Sequence, residues 1–208
     1  MRAAAVVLAA GRSSRMGGNK LLLEVDGATV LDSLLASLTS VLREVMVVTG
    51  HDPKPIEAIA RSHGVRAVYN PNYEEGMTTS FQAGLRAASA DAVFLVLGDQ
   101  LGLEPGLLLR MIDTMEGNPS ALIVSPVYKG RRGHPTLFRR PLFGEILGLS
   151  GEETLRDIVL RHESGHRTVE GDELTIIDLD TPGDYDQALR LWRGRRTEHR
   201  SEHDGIPT

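Results

Sequence analysis

Apolar residues fall into two recurring arrangements along this chain. Short, mostly apolar runs at Ala3–Leu8, Glu44–Thr49, Arg66–Tyr69, Ala92–Leu97 and Ala121–Ser125 have the length and the β-branched content of strands. Between them, apolar residues return every three or four positions, as on one face of a helix. Val30, Leu31, Leu34, Leu35 and Leu38 make one such stripe. Met77, Phe81, Leu85 and Ala88 make a second, and Leu107, Leu108, Met111, Ile112 and Met115 a third. Strands alternating with helices predict an α/β fold with a mostly parallel sheet flanked by helices.

The alternation loosens past about residue 126. Residues 130–135 read as a polar, basic loop, Thr136–Phe138 as a short strand, and Pro141–Leu147 and Glu153–Arg161 as helices. Leu174–Asp178 is expected to be a strand, and Thr181-Pro182 to open a last helix carrying Tyr185, Ala188, Leu189 and Trp192. Residues 194–208 are polar and without period, so they are expected to be a disordered tail beyond a single domain of residues 1–193. No repeat or linker divides the chain.

Composition narrows the function classes. A chain of 208 residues fits one domain, and a net charge of -5 argues against a nucleic-acid partner, which calls for a basic face. The absence of cysteine excludes disulfides, thiolate metal sites and cysteine nucleophiles. No apolar stretch reaches the ~18 residues of a membrane span, and the N-terminus does not read as a signal peptide. The expected setting is therefore the cytoplasm.

The chemistry begins where the first strand ends. Between Gly11 and Lys20 stand three glycines, two arginines, one lysine and two serines. Glycines let backbone come close to a ligand, backbone N–H groups can point at phosphate oxygens, and cations add charge-assisted bonds to the same oxygens. The loop is neither a Walker A loop nor a G-x-G-x-x-G fingerprint. A plain glycine turn with solvated charges is the alternative. A loop at the C-terminal end of a strand lies where open α/β sheets bind ligands, which favours a phosphorylated ligand.

Ala92–Leu97 leads into Gly98-Asp99-Gln100, so Asp99 emerges at the same edge. A carboxylate beside polyphosphate suits Mg²⁺, although an Asp there can also cap a turn. Asp178 and Asp180 alternate with Leu179, and either can be a second metal carboxylate. Asp180 or Thr181 can equally cap the helix that begins at Pro182. Thr78, Thr79 and Ser80 open a helix whose N–H groups can meet an anion or a base carbonyl; capping accounts for one hydroxyl, not three. Arg131, Arg132 and His134 form a basic loop that can clasp an anionic second substrate or lie solvated. His51, His63, His162 and His166 show no metal-ligand spacing and read as surface residues, and His199 and His203 fall in the expected tail.

These residues resemble one family. The opening LAAGRSSRMGGNKLLL is similar to the signature of the molybdenum cofactor nucleotidyltransferases, most closely their cytidylyl branch. VTGHDP, NPNYEEGMTTSFQAGL, LGDQ, RRGHPTLF and DLDTPGDY resemble its later motifs in the same order, over roughly residues 3 to 190. The guanylyl branch usually has Gly where this chain has Ala10. Two departures are Leu101, where branch members carry Pro, and Gly183, where they carry an acidic residue. The resemblance implies a Rossmann-like nucleotidyltransferase fold and transfer of CMP from CTP to the terminal phosphate of molybdopterin, with release of pyrophosphate. It implies that Arg15 and Lys20 hold the triphosphate and that Asp99 and Asp180 hold Mg²⁺. Leu8, Ala9, Ala10, Gly11, Arg12 and Ser13 would line the nucleotide, with Thr78, Thr79 and Ser80 nearby, and Arg132 and His134 would face the pterin. The product would pass to a molybdoenzyme or a delivery chaperone. GTP as donor, another phosphorylated acceptor, and a non-catalytic cofactor carrier are the competing readings.

Overall fold

The computed structural model describes residues 1–12 and 19–203. The centre of the sheet is β1 (Ala3–Ala9), whose side chains alternate between two apolar layers, as a strand buried on both faces requires. It pairs in parallel with β4 (Glu44–Thr49) on one side and β6 (Ala92–Leu97) on the other. β5 (Arg66–Tyr69) adds in parallel beyond β4. On the far side of β6 lies β9 (Thr136–Arg139), antiparallel both to β6 and to β7 (Ile123–Tyr128). β10 (His166–Glu170) closes that edge parallel to β7, and the short β8 (Arg131–Arg132) pairs with β7. The order is β10-β7-β9-β6-β1-β4-β5. A small hairpin of β2 (Glu24–Val25) and β3 (Ala28–Thr29) stands apart.

Helices cover both faces. Ala5 and Val7 of β1 face α1 (Val30–Val41), α2 (Pro53–Ser62) and α4 (Pro105–Gly117), which contribute Leu31, Leu35, Ile56 and Met111 to that layer. Ala4 and Val6 face α3 (Met77–Ala87), α5 (Phe143–Gly148) and α6 (Leu155–Arg161) through Phe81, Leu85, Ile146 and Ile158. The final helix, α7 (Pro182–His203), packs Ala188, Leu189 and Trp192 on Val25, Val30, Leu101 and Leu179. No helix among the described residues is long and apolar enough to cross a membrane.

Several expectations shift. β7 runs two residues later than expected and contains Pro126, which lacks a donor; its carbonyl still accepts from Gly133 N at 2.9 Å. Leu174–Asp178 is not a strand. Glu173–Thr175 turns as a 3-10 helix because the Asp172 carboxylate accepts from Leu174 N at 2.9 Å. The strand of this region is β10, whose sequence His-Arg-Thr-Val-Glu is too polar to stand out because it is an edge strand. α2 also went unforeseen. The expected disorder from residue 194 is corrected as far as His203, where α7 ends. Its apolar stripe stops at Trp192, so periodicity was silent. Arg195 continues the anchoring by ion pairs to Glu104 (2.6 Å) and Asp172 (2.7 Å) and a bond to Gly102 O (2.9 Å). His166, expected at the surface, is buried at the start of β10.

Candidate active site

Sequence order reverses at β1: β4 and β5 build outward on one side, β6 on the other. In open α/β sheets the crevice at such a switch point, beyond the C-terminal strand ends, receives ligands. Here it is a cavity of about 640 Å³. Leu8, Ala9, Ala10 and Gly11 form its floor, where β1 ends. Gly98 N donates to Leu8 O at 3.0 Å, and a Cβ on Gly98 would lie 2.7 Å from that oxygen. Only glycine permits the close approach that carries Asp99 to the floor of the crevice. The turn after β4 is strapped to the same floor, since His51 N donates to Ala10 O at 3.1 Å.

Lys20 reaches the crevice from a single 3-10 turn. Asn19 caps that turn by accepting from Leu21 N (3.1 Å), and the buried Leu21 anchors it. The Lys20 ammonium lies 2.5 Å from Asp99 Oδ2 and 3.2 Å from Asp180 Oδ1. Burial works against its charge, but hydrogen bonds and charge from Asp99 and then Asp180 outweigh burial and hold Lys20 above its ordinary pKa. Thr181 serves as the cap of α7: its hydroxyl donates to Asp184 Oδ2 (2.7 Å) and accepts from Asp184 N (3.2 Å). Capping therefore falls to Thr181, and Asp180 faces Lys20. Asp178 also lines the cavity.

His134 lines the same cavity as Tyr73, Gly76 and Met77. Its backbone N donates to Thr175 O (2.8 Å), and its carbonyl accepts from Gln100 Nε2 (2.6 Å), which joins the Asp99 turn to the His134 loop. Its Nδ1 is buried with no hydrogen-bond partner among the described residues. Burial pushes His134 below its ordinary pKa, against the pull of Asp178 and Asp99, so the imidazole is neutral near pH 7.

Other expected residues lie elsewhere. Ser80 lines the cavity, but Thr78 and Thr79 do not. The hydroxyls are partly spent on structure: Asn70 Nδ2 donates to Thr79 Oγ1 (3.1 Å) and Ser80 Oγ (3.0 Å), tying the loop to α3. Arg12 pairs with Glu74 outside the lining. Arg132 is likewise outside it and holds Glu163, with Nη1 to Oε2 at 2.9 Å. Ser13 and Arg15 lie outside the described residues. Sequence reasoning missed Leu21, Tyr73, Gly76, Met77, Leu97 and Leu179, which complete the lining.

The crevice can take a divalent metal. No cluster of three or more His, Cys, Asp or Glu suited to a metal exists among the described residues. Mg²⁺, however, characteristically takes only one or two carboxylates and completes its shell with phosphate and water oxygens. Asp99 and Asp180, from distant parts of the chain, already converge on one cation. The donor set fits.

Comparison with known proteins decides the family. The model for the MobA-like NTP transferase domain matches residues 5–168. The chain belongs to the MobA-like NTP transferase family. As a member it is a nucleotidyltransferase, which sets aside the reading of a non-catalytic carrier. This MobA-like transferase is 28% identical to the molybdenum cofactor cytidylyltransferase of Escherichia coli K12, over 86% of the chain and 92% of that protein. It is 30% identical to the purine catabolism protein PucB of Bacillus subtilis, over 89% and 95%. A probable molybdenum cofactor guanylyltransferase of Bacillus cereus is 25% identical, over 90% and 96%. Among solved structures, Rv0371c of Mycobacterium tuberculosis superposes with a TM-score of 0.80 at 30% identity, covering 91% of this chain and 98% of that one. A complex of Rv0371C with manganese gives a TM-score of 0.76 at 28% identity, covering 91% and 99%.

Proposed function

We propose that this nucleotidyltransferase moves CMP from CTP to the terminal phosphate of molybdopterin in its molybdenum-loaded form, releasing pyrophosphate. The observation that carries the reading is the convergence of Lys20, Asp99 and Asp180 at the mouth of the Leu8–Gly11 floor. The likeness to a cytidylyltransferase supports the base and the acceptor.

In this reading the acceptor's phosphate oxygen attacks the α-phosphorus of CTP, and the bond to the β-phosphate oxygen breaks. A phosphate monoester loses its second proton near pH ~6, so the nucleophile is already anionic and needs no general base. The remaining obstacle is repulsion between two anions and their alignment in line. Lys20 holds the phosphates and meets charge that builds toward the leaving group. Arg15 adds a second cation by the family pattern. Asp99 and Asp180 would hold Mg²⁺, which when bound supplies further positive charge to the phosphates. His134 presents a neutral imidazole on the acceptor side, and Gln100 positions it through its carbonyl. The reaction is placed in the cytoplasm, with the product passing to a molybdoenzyme or a delivery chaperone.

Ala10 lines the cavity, and its methyl narrows the space that glycine would leave for a purine. A small apolar group discriminates by only ~1–3 kcal/mol. The expected result is a higher kcat/KM for CTP than for GTP with the same acceptor, and a relaxed ratio in Ala10→Gly. A wild-type ratio at or below one would overturn cytidylyl transfer in favour of guanylyl transfer.

A further inference from the structure

The Lys20 ammonium and a divalent cation require the same two carboxylate oxygens. Lys20 Nζ sits 2.5 Å from Asp99 Oδ2 and 3.2 Å from Asp180 Oδ1, so it bridges them as a bound cation would. We propose that Lys20 is an exchangeable counter-cation that keeps the Asp99–Asp180 pair closed to metal until a nucleoside triphosphate arrives. The inference rests on the reading of Asp99 and Asp180 as metal ligands, and it adds an order of events: the phosphates draw Lys20 away, and the metal takes its place.

Like-charge repulsion supports this order. The ammonium already stands as a cation against both carboxylates. A divalent cation entering beside the ammonium would bring two cations within a few ångströms over the same pair, where they repel strongly. A triphosphate brings further negative charge and also gives the ammonium new oxygens. Without phosphates, Lys20 would have to leave two charge-assisted partners, and its side chain is only 21% exposed. The exchange needs little rearrangement. Asn19 and the buried Leu21 fix the turn that carries Lys20, so only the flexible four-carbon stem must swing. Asp178 and His134 line the same cavity, and Lys20 is held by Asp99 and Asp180.

The test is a titration of the full chain with Mn²⁺, with free Mn²⁺ followed by electron paramagnetic resonance and no turnover involved. Site-to-site coupling is ordinarily about 5- to 150-fold. Lys20→Met keeps much of the side chain's bulk and removes the charge; it should bind Mn²⁺ about tenfold or more tighter than wild type in the absence of nucleotide. Lys20→Arg keeps a cation and should stay as weak as wild type. A CTP analogue with a methylene between the α- and β-phosphates should tighten Mn²⁺ binding in wild type. The gain in Lys20→Met should vanish when Asp99→Asn is added. Equal Mn²⁺ affinity in wild type and Lys20→Met, or no tightening by the analogue, would overturn the exchange while leaving the metal ligands in place. A gain that survives Asp99→Asn would instead overturn the ligand assignment and the exchange together.

Discussion

Asp99 illustrates what one side chain does here. It is almost buried, stands beyond a glycine that no other residue can replace without meeting Leu8 O, and holds Lys20. Asp99→Asn keeps the shape and removes the charge. Lys20 still has Asp180, so the ammonium is not stranded, and stability should change by no more than about 2 kcal/mol. Turnover should fall by about 10²-fold or more, the scale seen when one electrostatic partner of a reacting phosphate or carbonyl is lost. Steady-state rates across a Mg²⁺ series, with circular dichroism as the fold control, check this. Near-normal turnover at limiting Mg²⁺ would make Asp99 a turn residue. Lys20, Asp99 and Asp180, which the structure brings into contact, stand out in the sequence because they are polar residues that follow apolar runs or precede a helical turn. Arg132 lies outside the cavity lining, and no local pattern announces its partner, Glu163, 31 positions away. Tyr73, Met77 and Leu179 were invisible as site residues because an apolar wall has the same composition as a core.

Elements were legible where burial imposed a period. β1, β4, β5 and β6 and helices α1, α3 and α4 stand at or within a few residues of their expected places; the helices bury one stripe each, β1, β4 and β6 feed both apolar layers, and β5 is shorter and more exposed. β10 and the end of α7 were not legible, since their anchors are a buried His166–Ser125 contact and the ion pairs of Arg195. α3 lies close against β1 at Gly84. A Cβ there would lie 2.3 Å from Val6 Cγ1 of β1 and 3.0 Å from Val48 Cγ2 of β4. Alanine is the better helix former by ~1 kcal/mol, but overpacking costs about 1–3 kcal/mol. Because the contact is side chain against a β-branched residue in a buried strand, the clash should win. Gly84→Ala is expected to lower unfolding free energy in urea. Val6→Ala in the same chain should recover part of the loss, with non-additivity marking the direct contact. An unchanged midpoint would mean α3 can shift away from β1 at no cost.

At the scale of the whole molecule, the sheet joins two regions of different character. β1, β4 and β6 form a parallel, buried core, edged by the more exposed β5, that carries the phosphate side of the crevice. β7, β9 and β10 form a mixed extension that carries the His134 side. The extension holds a pH-sensitive tie. His166 on β10 is buried, its Nε2 is 2.9 Å from Ser125 Oγ on β7, and its Nδ1 has no partner among the described residues. Burial, then the positive charge of Arg132, lower its pKa to about 4; Glu163 opposes this and Arg167 reinforces it. The unfolded chain takes up this proton near pH ~6.5. Above that pH both states are neutral and His166 contributes nothing to pH dependence. Between ~6.5 and about 4 the unfolded state binds the proton and the folded state does not, so stability falls as pH falls. Below about 4 both states are protonated and the loss is complete, at most about 3 kcal/mol before solvent screening reduces it. His134, also lowered by burial, acts in the same direction. The carboxylates lowered by their partners, such as Asp32 and Asp184, lose their contribution at still lower pH and leave this window clear. Urea unfolding at pH 7 and pH 5 should therefore show wild type losing more stability than His166→Gln, which cannot titrate. Equal losses in the two proteins would mean that His166 is protonated in the folded state as readily as in the unfolded chain.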